Sequence, residues 1–233
     1  MILILGGTGE ARALAAALDG RCVTSLAGAV SNPRLPVGEV RIGGFGGVEG
    51  LAEYLSGVDA VVDATHPFAQ QISANAAAAC ERTGTPLLRL ERPGFTPRPG
   101  WIWVDDLSAA AAHTHGQRAF LTTGRQGLEA FAPIHDAWFL IRCVDPPGDP
   151  LPRHHELILD RGPYSVESER ALMERHNITM LVTKDSGGAM TQAKLDAAGE
   201  RTVVVVRRPP RPGVETVTSV EAAVHRLGYR RGV

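Results

Sequence analysis

Apolar residues come in short bursts along this chain, and alanine-rich stretches of helical character lie between them. The first burst, Met1–Leu5, ends in Gly6-Gly7-Thr8-Gly9, and a helical stretch follows from Glu10 to Leu18. Cys22–Leu26 reads as a second strand and Val40–Ile42 as a third, followed by Gly43-Gly44-Phe45-Gly46-Gly47 and a helix over Val48–Leu55. The β-branched run Ala60–Ala64 is a buried-type strand, Phe68–Thr83 a long helix, and Pro86–Leu90 another strand. Strands alternating with helices predict a parallel sheet covered on both faces.

The pattern breaks in the segment 91–101, ERPGFTPRPGW, whose prolines and glycines read as a boundary. The alternation then restarts. Strands are expected at Trp101–Val104, Ala119–Thr122, Trp138–Val144, Glu156–Asp160, Met180–Thr183 and Thr202–Arg207. Helices are expected over Ser165–His176, with Ser165 as N-cap, over Met190–Ala198, and over Ser219–Leu227 behind Thr218 or Ser219. The prediction is an α/β protein of two Rossmann-like lobes, residues 1–95 and 96–233, with mainly parallel sheets and a cleft between the lobes.

Composition narrows the function classes. Of the 233 residues 44% are hydrophobic, enough for a real core, and the net charge of -1 lacks the electrostatic footprint of a nucleic-acid binder. Lysine occurs only at Lys184 and Lys194, so the basic charge is almost all arginine, the better partner for carboxylates and phosphates. The three cysteines are scattered without a CxxC pair, which fits a reducing, cytoplasmic setting. The start MILILGG has no basic leader, and no apolar run is long enough to span a bilayer, so no membrane role is expected. His113-x-His115 and His154-His155 have no flanking cysteine ligands, and no metal site is predicted from them.

The chemistry starts at the glycine turn. Gly6, Gly7, Thr8 and Gly9 sit between a strand and a helix, where a backbone can approach a pyrophosphate and helix N–H groups can hold it. The spacing is not the full GxGxxG, because Arg12 stands three residues after Gly9; Arg12 is itself within reach of a phosphate. No acid lies between Asp19 and Glu39, where an NAD-binding domain carries the carboxylate that holds the ribose 2′-hydroxyl. That absence permits NADP, with Ser25, Ser31, Asn32 and Arg34 as polar candidates for the 2′-phosphate. Gly44 and Gly46 allow a second close approach of backbone to ligand, or a plain flexible loop.

Ligands of open α/β sheets bind beyond the carboxyl ends of the strands. Here those ends deliver Thr65-His66-Pro67-Phe68, Gly124-Arg125, Lys184-Asp185-Ser186-Gly187-Gly188 and Arg208-Pro209. His66 is either a helix-entry residue or a group near the nicotinamide or the substrate, and Lys184 with Asp185 either a surface pair or a substrate-facing loop.

Six segments together resemble one family, the precorrin-6A reductases: LILGGTGEARALA (3–15), RIGGFGGVEGLAEYL (41–55), DATHPFA (63–69), LTTGRQGLEAF (121–131), LDRGPYSVESERALM (159–173) and VTKDSGGAMTQAKLDAA (182–198). The resemblance covers both lobes in order. It implies NADPH on the first lobe, cradled by Gly6–Gly9, Arg12, Ser25, Arg34, Gly44, Gly46, Thr65 and His66, and a carboxylate-rich tetrapyrrole in the cleft. It implies hydride transfer to one C=C bond of precorrin-6A, giving precorrin-6B, and partners among other cobalamin-pathway enzymes. Arg92, Arg125, Arg161, Lys184, Ser186 and Arg208 are then candidates for the substrate carboxylates. Asp185, His66, Tyr164 and bulk water are candidates for the proton source. The sequence leaves open the cobalt-containing macrocycle of the oxygen-independent route, and a non-catalytic tetrapyrrole or nucleotide carrier. A short-chain dehydrogenase is a poor reading, since neither lysine has a tyrosine four residues before it.

Overall fold

The structure, a computed structural model, describes residues 1–28, 34–148 and 150–228, without the side chains of residues 189 and 190. In chain order the strands are β1 (Ile2–Leu5), β2 (Cys22–Leu26), β3 (Glu39–Ile42), β4 (Ala60–Asp63), β5 (Leu87–Leu90), β6 (Ile102–Val104), β7 (Arg118–Leu121), β8 (Trp138–Cys143), β9 (His155–Leu159), β10 (Met180–Lys184), β11 (Thr202–Val206) and β12 (Glu215–Val217). The helices are α1 (Gly9–Ala17), α2 (Gly47–Tyr54), α3 (Gln70–Thr83), α4 (Leu107–Ala112), α5 (Val166–Arg175), α6 (Ala189–Ala197) and α7 (Val220–Arg226).

The chain forms two units, one of Met1–Pro93 with Pro210–Val233, the other of Gly94–Pro209. The first has a six-stranded sheet in the order β3-β2-β1-β4-β5-β12, and every pairing among the described strands is parallel. This is the Rossmann order, with its reversal point between β1 and β4. Side chains alternate across the sheet. Leu3, Leu5 and Val61 therefore face α2 and α3, packing on Leu51, Leu55, Ala76 and Ala79. Ile4, Val62, Leu88 and Leu90 face the other way, onto Leu14 and Leu18 of α1 and Ala223 of α7. Full burial of each such large side chain stabilises by about 1.5–3 kcal/mol.

The second unit repeats the plan. Its sheet runs β9-β8-β7-β10-β11-β6, again all parallel, with its reversal point between β7 and β10. Phe120, Leu140, Leu181, Val203 and Val205 pack against Met173 of α5 and Leu195 of α6. Ser165 caps α5, accepting from the Ser168 N–H at 3.1 Å while the Ser168 hydroxyl returns the bond, and Ser219 caps α7.

Three expectations are corrected. The sequence places everything after residue 96 in the second lobe, but Pro210 onward returns to the first, where β12 adds the sixth strand beside β5. β12 is only three residues long, with Glu215 and Thr216 exposed, so it has no apolar burst to announce it. The long helix starts at Gln70 rather than Phe68, because His66-Pro67-Phe68 forms a turn in which the Ala69 N–H donates to His66 O at 2.8 Å. Two short elements were not expected: α4, capped by Asp106, and a 3-10 helix, Leu128–Phe131.

The returning segment is fastened by Arg211. Its Nη2 donates to Asp63 Oδ2 at 2.7 Å, to Thr65 Oγ1 at 3.1 Å and to Ser73 Oγ, and Nη1 pairs with Glu91. Asp63 is 1% exposed and also lies 3.5 Å from Arg89 Nε. Removing one partner of such a cluster strands a buried charge, typically at a cost of about 3–5 kcal/mol. Arg211→Ala is therefore expected to lose stability of that order in urea unfolding. Arg226→Ala, which breaks an exposed pair with Glu215, should leave the midpoint unchanged. Equal midpoints for the two variants would contradict the assignment.

Candidate active site

In the first lobe β1 runs into the glycine turn. The Gly6 N–H donates to Ser25 O at 2.8 Å, and a Cβ on Gly6 would lie 2.7 Å from Thr24 Cγ2, so only glycine lets β1 and β2 approach this closely. Gly7 has φ of 109°, the left-handed side that glycine tolerates, and a Cβ there would meet nothing within 4 Å: the turn is open above the backbone. Thr8 is the N-cap of α1. Its Oγ1 accepts from the Ala11 N–H at 3.1 Å and donates to Ala64 O at 2.7 Å, tying the turn to the end of β4 across the reversal point. That hydroxyl is thus committed to the fold. The helix still presents its first-turn amides and positive dipole end. Arg12 stands half-buried on the same first turns.

Glu10 places a carboxylate beside this anion-binding end, and Arg92 Nη1 neutralises it at 2.6 Å. Arg92, a substrate candidate from sequence, is therefore placed on the first lobe against α1. Thr65 is 8% exposed and donates its hydroxyl to Asp63 Oδ1 at 2.6 Å, inside the Arg211 cluster. His66 follows it. Its Nδ1 accepts from the Phe68 N–H at 3.3 Å, which leaves the ring proton on Nε2. The structure brings together Gly6–Gly9, Arg12, Ser25, Thr65 and His66 at the carboxyl end of one sheet. Arg34 is exposed, and Ser31 and Asn32 lie outside the described residues.

The Gly43–Gly47 loop is shaped by a residue that sequence reasoning missed. Arg41, at the end of β3, donates from Nη1 to Gly43 O at 2.6 Å and from Nη2 to Gly44 O at 2.7 Å, and its guanidinium lies 3.9 Å from the Phe45 ring centre. Gly44 is held through its carbonyl, and Gly46, left-handed at φ of 82°, is the N-cap of α2. The available signal was the arginine that opens RIGGFGG, directly ahead of the glycines.

The second lobe gathers cations at the corresponding end of its sheet. Lys184 closes β10 and Cys143 closes β8, while Arg125 is exposed on the turn after β7. Burial pushes the Lys184 ammonium below its ordinary pKa, against the pull of Cys143 and Glu129. Burial raises the Cys143 thiol, and nearby Arg125 and Lys184 oppose the rise. Cys143 and Lys184 thus sense each other. Asp185 is pinned: Oδ1 accepts from the Phe95 N–H at 2.7 Å and Oδ2 lies 3.4 Å from Arg208 Nε, which also donates to Asp185 O at 3.0 Å. A Cβ on Gly94 would lie 2.6 Å from Asp185 Oδ2, so the segment can cross only as glycine. Ser186 is buried, its N–H donating to Lys184 O at 2.7 Å, and Gly187 and Gly188 lead with positive φ into α6.

Tyr164 and Arg161 follow β9. The Tyr164 ring lies 3.7 Å from the Arg142 guanidinium, and burial raises its phenol pKa above the ordinary value, with Arg142 opposing. Arg161 is half-buried, its N–H donating to Asp160 Oδ1 at 2.7 Å. Arg142 forms a buried fork with Glu169, at 2.5 and 2.8 Å. Among the described residues no group of three or more His, Cys, Asp or Glu is placed to hold a metal, and no helix is long and apolar enough to cross a membrane.

A doubled Rossmann-like α/β protein, with a glycine turn at the first reversal point and clustered cations at the second, is the class that fold and site define. Within that class, the chain belongs to the precorrin-6x reductase family CbiJ/CobK, whose model matches residues 1–228. It is 56% identical over 97% of both chains to the precorrin-6A reductase of Rhodococcus erythropolis, and 54% identical over 95% of both to that of Mycobacterium tuberculosis. The solved structure of a CobK precorrin-6A reductase superposes with a TM-score of 0.91 at 41% identity, over 97% of this chain and 95% of that one. The chain is accordingly a reductase that uses a nicotinamide cofactor.

One buried lysine supplies a test of the second lobe. Lys194, on α6, is 7% exposed, and burial pushes its pKa down to about 7, with Arg142 adding to the fall and Glu169 opposing it. The unfolded chain holds that proton up to about pH 10.4. Unfolding therefore takes up a proton between these values, and stability rises with pH across the window. Lys194→Met removes this dependence. Its excess in melting temperature over the wild type is expected to be greatest at and below neutral pH and to shrink as pH rises towards 10. A constant difference would place the ammonium in contact with water.

Proposed function

We propose that this chain reduces precorrin-6A to precorrin-6B with NADPH, in the cytoplasm. The observation that carries the reading is the open Gly6–Gly9 turn, tied by Thr8 to the end of β4, in a chain of this reductase family. The turn fits a dinucleotide. A left-handed glycine without a side chain leaves room for a pyrophosphate, and Arg92 offsets the one carboxylate that would repel it. No acid occupies the end of β2, where one would exclude a 2′-phosphate.

NADPH, when bound, supplies the hydride. The chain's own residues do the rest. The first-turn amides of α1 and the Arg12 guanidinium would hold its phosphates, and the loop at Thr65–His66, anchored by Arg211, would face its nicotinamide. Arg125, Lys184 and Arg161 take the peripheral carboxylates of the macrocycle, a charge-assisted pairing that fixes its orientation. The proton needed at the reduced bond is best supplied by His66 Nε2 or by water. Asp185 has both carboxylate oxygens engaged, and the Tyr164 phenol is a weaker acid than usual.

A cobalt-containing substrate is the second reading. The cobalt-precorrin-6A reductase of Priestia megaterium is 31% identical to this chain, against 41–56% for the relatives named precorrin-6A reductase, which favours the metal-free macrocycle.

Saturable NADPH oxidation that depends on precorrin-6A is the expected result. Tight binding of both molecules without turnover would instead make the chain a carrier. Lys184→Ala and Arg125→Ala are expected to raise KM for the macrocycle by roughly 10-fold or more each, the loss of one charged hydrogen bond, with smaller changes in kcat. Unchanged KM in both variants would move the carboxylate site elsewhere.

A further inference from the structure

We infer that Arg41 is the residue that selects NADPH over NADH, by receiving the 2′-phosphate of the adenosine ribose. The inference rests on the nucleotide reading above and adds the selecting group to it. The strands of the first sheet set the geometry. Gly6 opens the phosphate turn at the end of β1, and its N–H is bonded to Ser25 O on β2. Ser25 is in turn the register partner of Arg41 on β3, with Arg41 Nη1 3.5 Å from Ser25 Oγ. Turn, hydroxyl and guanidinium thus stand in a row along one sheet edge. Neighbouring strands are about 4.8 Å apart, so Arg41 lies roughly 10 Å across from the strand that carries the turn. A nucleotide whose phosphates sit on the turn and whose ribose passes over β2 would bring its 2′ position towards β3.

The charge of Arg41 is held ready. Both of its terminal nitrogens are fixed on backbone carbonyls, of Gly43 and Gly44, and its flat face rests on Phe45. Among the described residues no carboxylate pairs with it. Arg82, Arg89, Arg92, Arg142 and Arg211 of the same chain are each joined to an acid. A half-buried guanidinium with no countercharge, beside a serine hydroxyl, is a phosphate receptor in both charge and geometry. The four glycines around Phe45 then have a use: they let backbone carbonyls fold back and pin the arginine without side chains crowding the space in front of it.

The test is nucleotide binding by calorimetry to the whole chain, without the macrocycle, using NADP+, NAD+, 2′,5′-ADP and 5′-AMP. The wild type is expected to prefer NADP+ and 2′,5′-ADP. Arg41→Ala should weaken those two by about 10- to 100-fold, the range of a lost charged contact, and leave NAD+ and 5′-AMP within about 2-fold. Arg41→Lys, which keeps the charge but not the fork, should recover part of the loss. Equal weakening of all four ligands would show that Arg41 merely shapes the loop, and unchanged affinities would show that it takes no part; either overturns the inference while the nucleotide reading stands. A wild type that binds NAD+ as tightly as NADP+ would overturn the NADPH reading itself, and the inference with it.

Discussion

The capture of Arg211 by Asp63, Thr65, Ser73 and Glu91 is the constraint on which the first lobe depends. Asp63 is the last residue of the central strand β4, and it is almost wholly out of water. A carboxylate there is tolerable only with full compensation. The compensating charge comes from 148 residues further along the chain. Once Arg211 is seated, β12 lies against β5 and α7 closes the sheet face that α1 leaves uncovered. The same cluster anchors Thr65, so the loop that carries His66 has a rigid base. Structure and site share one set of bonds at this point.

Each lobe places a different chemistry at its reversal point. At the first an open glycine turn leads into α1, and the carboxylate of Glu10 beside it is neutralised by Arg92. At the second the side chains of Arg125 and Lys184, the substrate groups of the proposed function, stand at the ends of β7 and β10. Asp185 holds the Phe95 amide and Arg208 in place. A phosphate suits rows of amides and a helix end, whereas scattered carboxylates on a macrocycle suit long cationic side chains.

Much of this was legible in the residues. Strands such as β1, β4 and β10 are buried on both faces, so their apolar runs stand out. Ser165 and Ser219 declared their helices through capping chemistry that is local in sequence. What could not be read was non-local or short. β12 has an exposed face and three residues, and nothing in its composition says which sheet it joins. Arg211 looks like any surface arginine until Asp63 is placed beside it. The hold of Arg41 on the Gly43 and Gly44 carbonyls is equally hidden, since sequence registers the glycines and not the direction of a side chain. Asp185 follows the end of β10 as the strand pattern predicts, and Arg92 lies just beyond β5, yet their partners, the Phe95 amide and Glu10, come from distant segments.

The central claim is that reducing equivalents pass as hydride from the nicotinamide to a carbon of the macrocycle. Isotope transfer tests this most directly. With NADPH carrying deuterium at both C4 positions of the nicotinamide, and precorrin-6A as substrate in ordinary water, the reduced macrocycle should gain one deuterium by mass spectrometry. Reduction that proceeds with no deuterium in the product would contradict the account, because the hydrogen would then have come from solvent rather than from the cofactor.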